Sequence, residues 1–217
     1  MNNATNLKSS AIASLAIALL VKPDNDYEDS KSTYCCNASI HAAVQLSGLE
    51  YADAKWTPEA AAVRARISEY IGGRDVAETY VQEDLGQDGA DEHVVYAFRV
   101  KMMTEIAAEF EAKELLQRQI EVLQQVKELR ATNPKRSNYV CDNIQSGVLG
   151  YTPPRGLGLR DTPEADAICA DINTYIGGKF SLDVWMGMDE QHEAVEDARI
   201  EMIDALIARY TSKLEAA

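Results

Sequence analysis

Cysteine, aromatic residues and positive charge are all scarce in this chain, and each shortage excludes something. Four cysteines occur in 217 residues, at 35, 36, 141 and 169. Adjacent Cys35 and Cys36 do not readily bridge each other, and a chain of this length builds a core without staples. All four therefore read as reduced thiols of a cytoplasmic protein. Aromatics make up 7% of the chain and β-branched runs of period two are missing, which excludes a sandwich or barrel of short strands. Lys and Arg number 21 against 35 Asp and Glu, a formal net charge of −14 and a pI near 4.6. Unaided binding to duplex nucleic acid or to anionic lipid is excluded by that balance.

Long apolar runs are missing too. The strongest, Ala11 to Val21 (AIASLAIALLV), falls far short of the roughly 20 residues that span a bilayer, so no membrane association is expected. Only Lys8 precedes it as a basic residue, and no clear small-residue cleavage site follows. A buried core helix is the expectation, with a signal peptide as the alternative. What remains is the composition of a folded globular chain, 46% hydrophobic and 26% charged, long enough for one large domain or two small ones.

The sequence contains an internal repeat. Thr57 to Arg74 reads TPEAAAVRARISEYIGGR and Thr162 to Lys179 reads TPEADAICADINTYIGGK, with eleven of eighteen positions identical at an offset of 105. The same offset aligns Tyr34, Cys36 and Asn37 with Tyr139, Cys141 and Asp142. After a gap of five residues the match resumes at an offset of 100, pairing Arg99, Met102 and Phe110 with Arg199, Met202 and Tyr210. We expect a tandem duplication of a helical unit of about 100 residues, residues 1–110 and 111–217, all-α, with about ten helices in two pseudo-equivalent bundles.

The local chemistry of each copy fits helices. Thr57 and Thr162 are N-caps whose hydroxyls accept from first-turn amides, and Pro58 and Pro163 suit the first helical position, where no donor is needed. Glu59 and Glu164 set negative charge against the positive end of the helix dipole. Apolar residues recur at helical spacing through Ala60, Val63, Ile67, Tyr70 and Ile71, and through Ala165, Ile168, Ile172, Tyr175 and Ile176. Gly72-Gly73 and Gly177-Gly178 then supply left-handed C-caps; the Lys-Ser/Thr that would make a phosphate loop does not follow. The last helix of each copy carries a stripe: Val95, Phe98, Met102, Ile106 and Phe110 in the first, and Val195, Ala198, Met202, Ile203, Leu206 and Tyr210 in the second. From Asp91 to Arg130 there is neither Gly nor Pro, so one helix of about 60 Å should join the copies. Its stretch Leu115 to Leu129 is the expected counterpart of Ala11 to Val21.

Chemistry-bearing motifs are few. His41, His93 and His192 are isolated, and neither C-x-x-C nor H-E-x-x-H occurs; Cys36 with His41 would need metal ligands from elsewhere in the chain. Registering Asp84, Gly86, Asp88 and Gly89 on a calcium loop puts Val95 where the bidentate Glu belongs. There is no Gly-x-Ser-x-Gly, and no His has a context that marks a base. The expectation is a non-enzymatic protein with no metal and no cofactor, the alternative being an enzyme with a site assembled between the copies. The copies differ most in charge after their first helix. Residues 131–160 carry Lys135, Arg136, Arg155 and Arg160 against Asp142, and the matching residues 26–55 carry two basic against five acidic side chains. Together with the Gly/Pro loop 147–160, that cluster is the candidate ligand-binding site for a small anion.

The succession Tyr139-x-Cys141, Ile176-Gly177-Gly178, Ser181-Leu182-Asp183-Val184-Trp185 and Arg199 to Leu206 (RIEMIDAL) resembles small helical proteins of unknown function encoded by bacteriophages and prophages. The resemblance covers residues 139–210; the first copy departs from it, with Val76-Ala77-Glu78-Thr79-Tyr80 in place of Ser-Leu-Asp-Val-Trp. These short motifs mostly describe a core. The resemblance implies a phage origin and, with it, the cytoplasm of the host cell; it implies no biochemical activity. From composition and resemblance together we expect a non-catalytic protein that binds, and modulates or inhibits, a host defence protein through an acidic helical surface. The expected partner is basic or itself nucleic-acid-binding, since electrostatic complementarity steers such pairs. The alternative is a sponge that sequesters a small anionic nucleotide signal.

Overall fold

The computed structural model describes residues 8–20, 57–74, 79–84, 86, 92–132, 149, 157–179, 181–189 and 193–217. Among these the chain is helical and holds no strand. The helices are α1 (Ser9–Leu20), α2 (Pro58–Tyr70), a π-helical segment Tyr80–Asp84, α3 (Glu92–Thr132), α4 (Pro163–Tyr175), α5 (Leu182–Met186) and α6 (Glu193–Ala216). Other helices of the expected ten would lie outside the described residues, as do Cys35, Cys36 and Cys141. No described helix is long and apolar enough to cross a membrane.

The 41-residue α3 occupies the Gly- and Pro-free stretch. The boundary between two compact units, Met1–Glu111 and Ala112–Ala217, falls within it, so its first half serves one core and its second half the other.

In the first unit, Ile12, Ala13 and Ala16 of α1 pack with Ala60, Val63 and Ile67 of α2, with Ile71, and with Met102, Met103, Ile106 and Ala107 of α3. In the second, Val122, Leu123 and Val126 of α3 pack with Ala165, Ile168 and Ile172 of α4, with Ile176 and Leu182, and with Met202, Ile203, Leu206 and Tyr210 of α6. The buried positions of α2 and α4 stand 105 residues apart, and those of early α3 and α6 stand 100 apart. On α1 and late α3, buried Ser9, Ile12, Ala13 and Ala16 correspond to buried Gln119, Val122, Leu123 and Val126 at an offset of 110. Apolar side chains at three- and four-residue spacing present one stripe to the core in every case.

The helix ends are built alike. The Thr57 hydroxyl accepts from the Ala60 amide at 3.2 Å and the Thr162 hydroxyl from the Ala165 amide at 3.4 Å. At the other end the Gly73 amide donates to the Ser68 carbonyl and the Gly72 amide to Glu69, and the Gly178 and Gly177 amides donate to Asn173 and Thr174 in the same way. This paired pattern needs left-handed residues, which Gly72, Gly73, Gly177 and Gly178 provide at φ between 60° and 77°.

The apolar stripes hide one charge each. Arg199 is fully buried and Arg99 nearly so, at matching positions of α6 and α3. Nη1 of Arg199 donates to Glu196 Oε1 at 2.7 Å. A guanidinium with an aliphatic stem fits an apolar stripe when its head is paired.

Candidate functional site

Of the four residues that the sequence picks out for an anion, Lys135, Arg136 and Arg155 lie outside the described residues. Arg160 sits exposed in the turn before α4, next to Asp161 at φ 63°, the one non-glycine among the described residues with positive φ. The Leu159 amide donates to the Leu149 carbonyl at 2.6 Å and the Thr162 amide to the Leu159 carbonyl at 3.3 Å, so the end of the 147–160 loop is tied down by its own backbone.

The described titratable groups pair off rather than converge. No group of three or more His, Cys, Asp or Glu among them is arranged to hold a metal ion. In the first unit Arg66 bridges α2 to α3 through Glu109, with Nε to Oε2 at 2.6 Å and Nη2 to Oε1 at 2.9 Å, and this hydrogen bonding raises the guanidinium above its ordinary value. Arg74 holds Asp84 in the same two-pronged way, which lowers the Asp84 carboxyl. The Tyr70 hydroxyl donates to Glu105, a bond that with burial pushes the phenol up to about 12.

In the second unit Tyr210 donates to Asp171 at 2.9 Å; burial first, then that carboxylate, raises its phenol. Arg209 meets the same Asp171 at 3.0 Å. Lys127 of α3 pairs with Asp204 of α6, and Arg118 of α3 lies 3.7 Å from Glu164 of α4. Half-buried Cys169 is a free thiol raised to about 11, by burial first and then by Asp166. A thiol so protonated at neutral pH is a poor nucleophile. These pairings fasten helices together, and none of the described ones presents a nucleophile beside a base.

The feature of this unit that packing leaves unexplained is an exposed apolar face. Tyr175 at the end of α4 is 40% exposed, and Val184, Trp185 and Met188 around α5 are 53%, 48% and 42% exposed. The rings of Tyr175 and Trp185 lie 6.2 Å apart and tilted by 53°. Gly177 lies beside the indole, and a Cβ there would meet Trp185 Nε1 in ordinary contact at 3.9 Å; what favours glycine at this position is its φ of 62°. Gly187 ends α5 in the left-handed conformation, with the Met188 amide donating to the Asp183 carbonyl at 3.0 Å. Two of these side chains, Tyr175 and Trp185, touch one another, and neighbouring large apolar groups at a surface are a mark of interaction sites.

Compared with known proteins, the chain matches no family model, no curated protein and no solved structure.

The sequence motif marks Ser181 to Trp185 as core, and for Ser181 and Leu182 that is where the structure places them. Val184 and Trp185 are exposed instead. The signal for this lies in the glycines: one turn of helix between Gly178 and Gly187 has only one side to bury, and Leu182 takes it.

Proposed function

We propose that the chain is a non-catalytic, phage-encoded binding protein, made of two copies of one helical unit, that docks on a basic host protein through its acidic helical surface and modulates or inhibits it. The observation that carries this reading is the sign of the surface. Among the described residues 15 exposed carboxylate side chains stand against 8 exposed cationic ones, and the whole chain carries −14. On α6 the exposed acids Glu193, Asp197, Glu201 and Asp204 recur at helical spacing on the side away from the core. A one-signed stripe of this kind steers a basic protein into encounter and repels nucleic acid. Support for the duplication comes from the matched caps, the matched Gly-Gly ends and the matched burial of α2 with α4 and of α3 with α6.

The test is capture from a lysate of the chain's own host at low ionic strength. The expected result is one basic protein, retained at low salt and released as salt rises, because exposed charges separated by more than about 10 Å are screened near 0.1 M. A bound small molecule absorbing at 260 nm would instead favour a nucleotide sponge using Lys135, Arg136, Arg155 and Arg160. Substrate turnover abolished by changing one polar residue would establish an enzyme. Either result overturns the binding role.

A further inference from the structure

The exposed face of the second unit has a covered counterpart in the first. Tyr70 and Tyr80 stand 105 residues before Tyr175 and Trp185, and both pack on one ring, Phe98 of α3, at 6.0 Å and 5.4 Å. The Tyr70 hydroxyl has Glu105 as its acceptor. One hundred residues on, α6 carries Ala198 where α3 carries Phe98 and Ala205 where α3 carries Glu105. Val94 becomes Ala194 and Lys101 becomes Glu201. These four positions form a single helix flank by their spacing of three and four residues. In the first unit that flank is bulky and its two charges cancel; in the second it is trimmed to alanine, and Glu201 is its one charge. α6 packs on both α4 and α5, the elements that hold Tyr175 and Trp185.

Charge around the trimmed flank is mostly negative, although Asp204 is paired with Lys127 of α3. Residues 175–204 contain eight acidic side chains, Glu193, Asp197, Glu201 and Asp204 among them, against Lys179 and the buried Arg199. We propose that Tyr175, Val184, Trp185 and Met188, with the alanine flank of α6, form a docking surface for a basic amphipathic segment of a partner protein. A bulky apolar side chain of that segment takes the place that Phe98 fills in the first unit, and its Lys and Arg residues meet Glu201 and the neighbouring carboxylates. Aromatic anchors seated at the centre of an interface and ringed by polar groups carry most of the energy of such contacts, and cations lie well over exposed indole and phenol faces. The proposal rests on the binding role above and places it on one face.

The test is a titration of the full chain, in a Trp56→Phe background so that Trp185 is the sole indole, with three short synthetic peptides. One is rich in Lys and Arg with a central Phe; the second replaces that Phe by Ala; the third replaces each Lys and Arg by Glu. The indole N–H resonance of Trp185 is followed by NMR. The expected result is a saturable shift with the first peptide, binding weakened at least about tenfold by loss of the Phe, and no shift with the third. Ala198→Phe, which restores the ring of the first unit, should weaken the first peptide to a similar degree. Trp185→Ser, at a half-exposed position outside the buried core, should weaken it as well, with binding followed by the fluorescence of a labelled peptide, and it serves as the second variant should the larger ring at position 198 upset packing.

Unchanged affinity in both variants would overturn the surface. So would a Trp185 resonance that moves with protein concentration alone, since a second copy of this chain would then be the occupant. A basic host protein that binds the Trp185→Ser variant as tightly as the unaltered chain leaves the binding role standing and removes this site. Anchored peptide binding as expected, from a chain that captures only a nucleotide from its host, does the reverse.

Discussion

Tyr70 and Tyr210 each give their hydroxyl proton to a carboxylate, Glu105 and Asp171, and both phenols are raised. A phenol whose folded value lies above its unfolded value keeps its proton in the native state after the unfolded chain has lost it. Its contribution is therefore fully present below about pH 10, the ordinary phenol value, and is lost as pH climbs. For Tyr70 the loss runs up to about 12. Denaturant midpoints measured from neutral to alkaline pH should fall through that window, and Tyr70→Phe should flatten part of the fall. A profile unaffected by the substitution would remove the Glu105 bond as its cause.

Cys169 follows the same logic with a different readout. Its thiol, raised to about 11, is almost wholly protonated near neutral pH, where the thiolate is the species that alkylates. Iodoacetamide at mildly alkaline pH should modify Cys169 slowly in the native chain and rapidly once it is unfolded, as read by peptide mass spectrometry. Equal rates would mean that the site is not shielded.

At the scale of elements, the caps are the most exposed to test. Thr57→Ala and Thr162→Ala each remove a first-turn acceptor and should each cost about 1 kcal/mol of stability in denaturant unfolding. Gly73→Ala and Gly178→Ala force a Cβ into the left-handed region at φ 77° and 72°, and each should cost about 1 kcal/mol. Nothing lies within 4 Å of a Cβ at either position, so backbone strain alone accounts for the loss.

These ends were legible in the sequence because capping depends on residues within five positions of one another. The long α3 was legible because a stretch without Gly or Pro and with a continuous stripe has nothing to stop it. Arg99 and Arg199 were not legible as core, because periodicity counts apolar residues and passes over a guanidinium whose aliphatic stem packs among them, as the Arg199 stem does while its head meets Glu196. Trp185 was not legible as surface, because a large aromatic beside Leu182 looks like core until α5 is seen to be one turn long and bounded by Gly187. The anion cluster was visible only as composition, and of its members Arg160 alone falls among the described residues.

At the scale of the whole molecule, two compact units draw their cores from different parts of one long helix, and exposed carboxylates outnumber exposed cations among the described residues. The same helix flank holds Phe98 and Lys101 in the first unit and Ala198 and Glu201 in the second, so the second unit keeps the core and changes the face. Such a division, with one unit closed over its aromatics and the other open, is what a duplicated scaffold with a single docking face would have. Screening provides a global check: affinity for a basic partner should drop steeply from low to physiological ionic strength, whereas Ala198→Phe should weaken binding without altering the salt slope, since it changes no charge.

The most direct measurement is native mass spectrometry of the chain recovered at low salt from a lysate of its own host. A binding protein of the kind proposed should arrive with a second polypeptide of basic composition, and that mass should vanish when the spray solution is raised in salt. An added mass of a few hundred daltons with nucleotide absorbance, and no polypeptide, would contradict it.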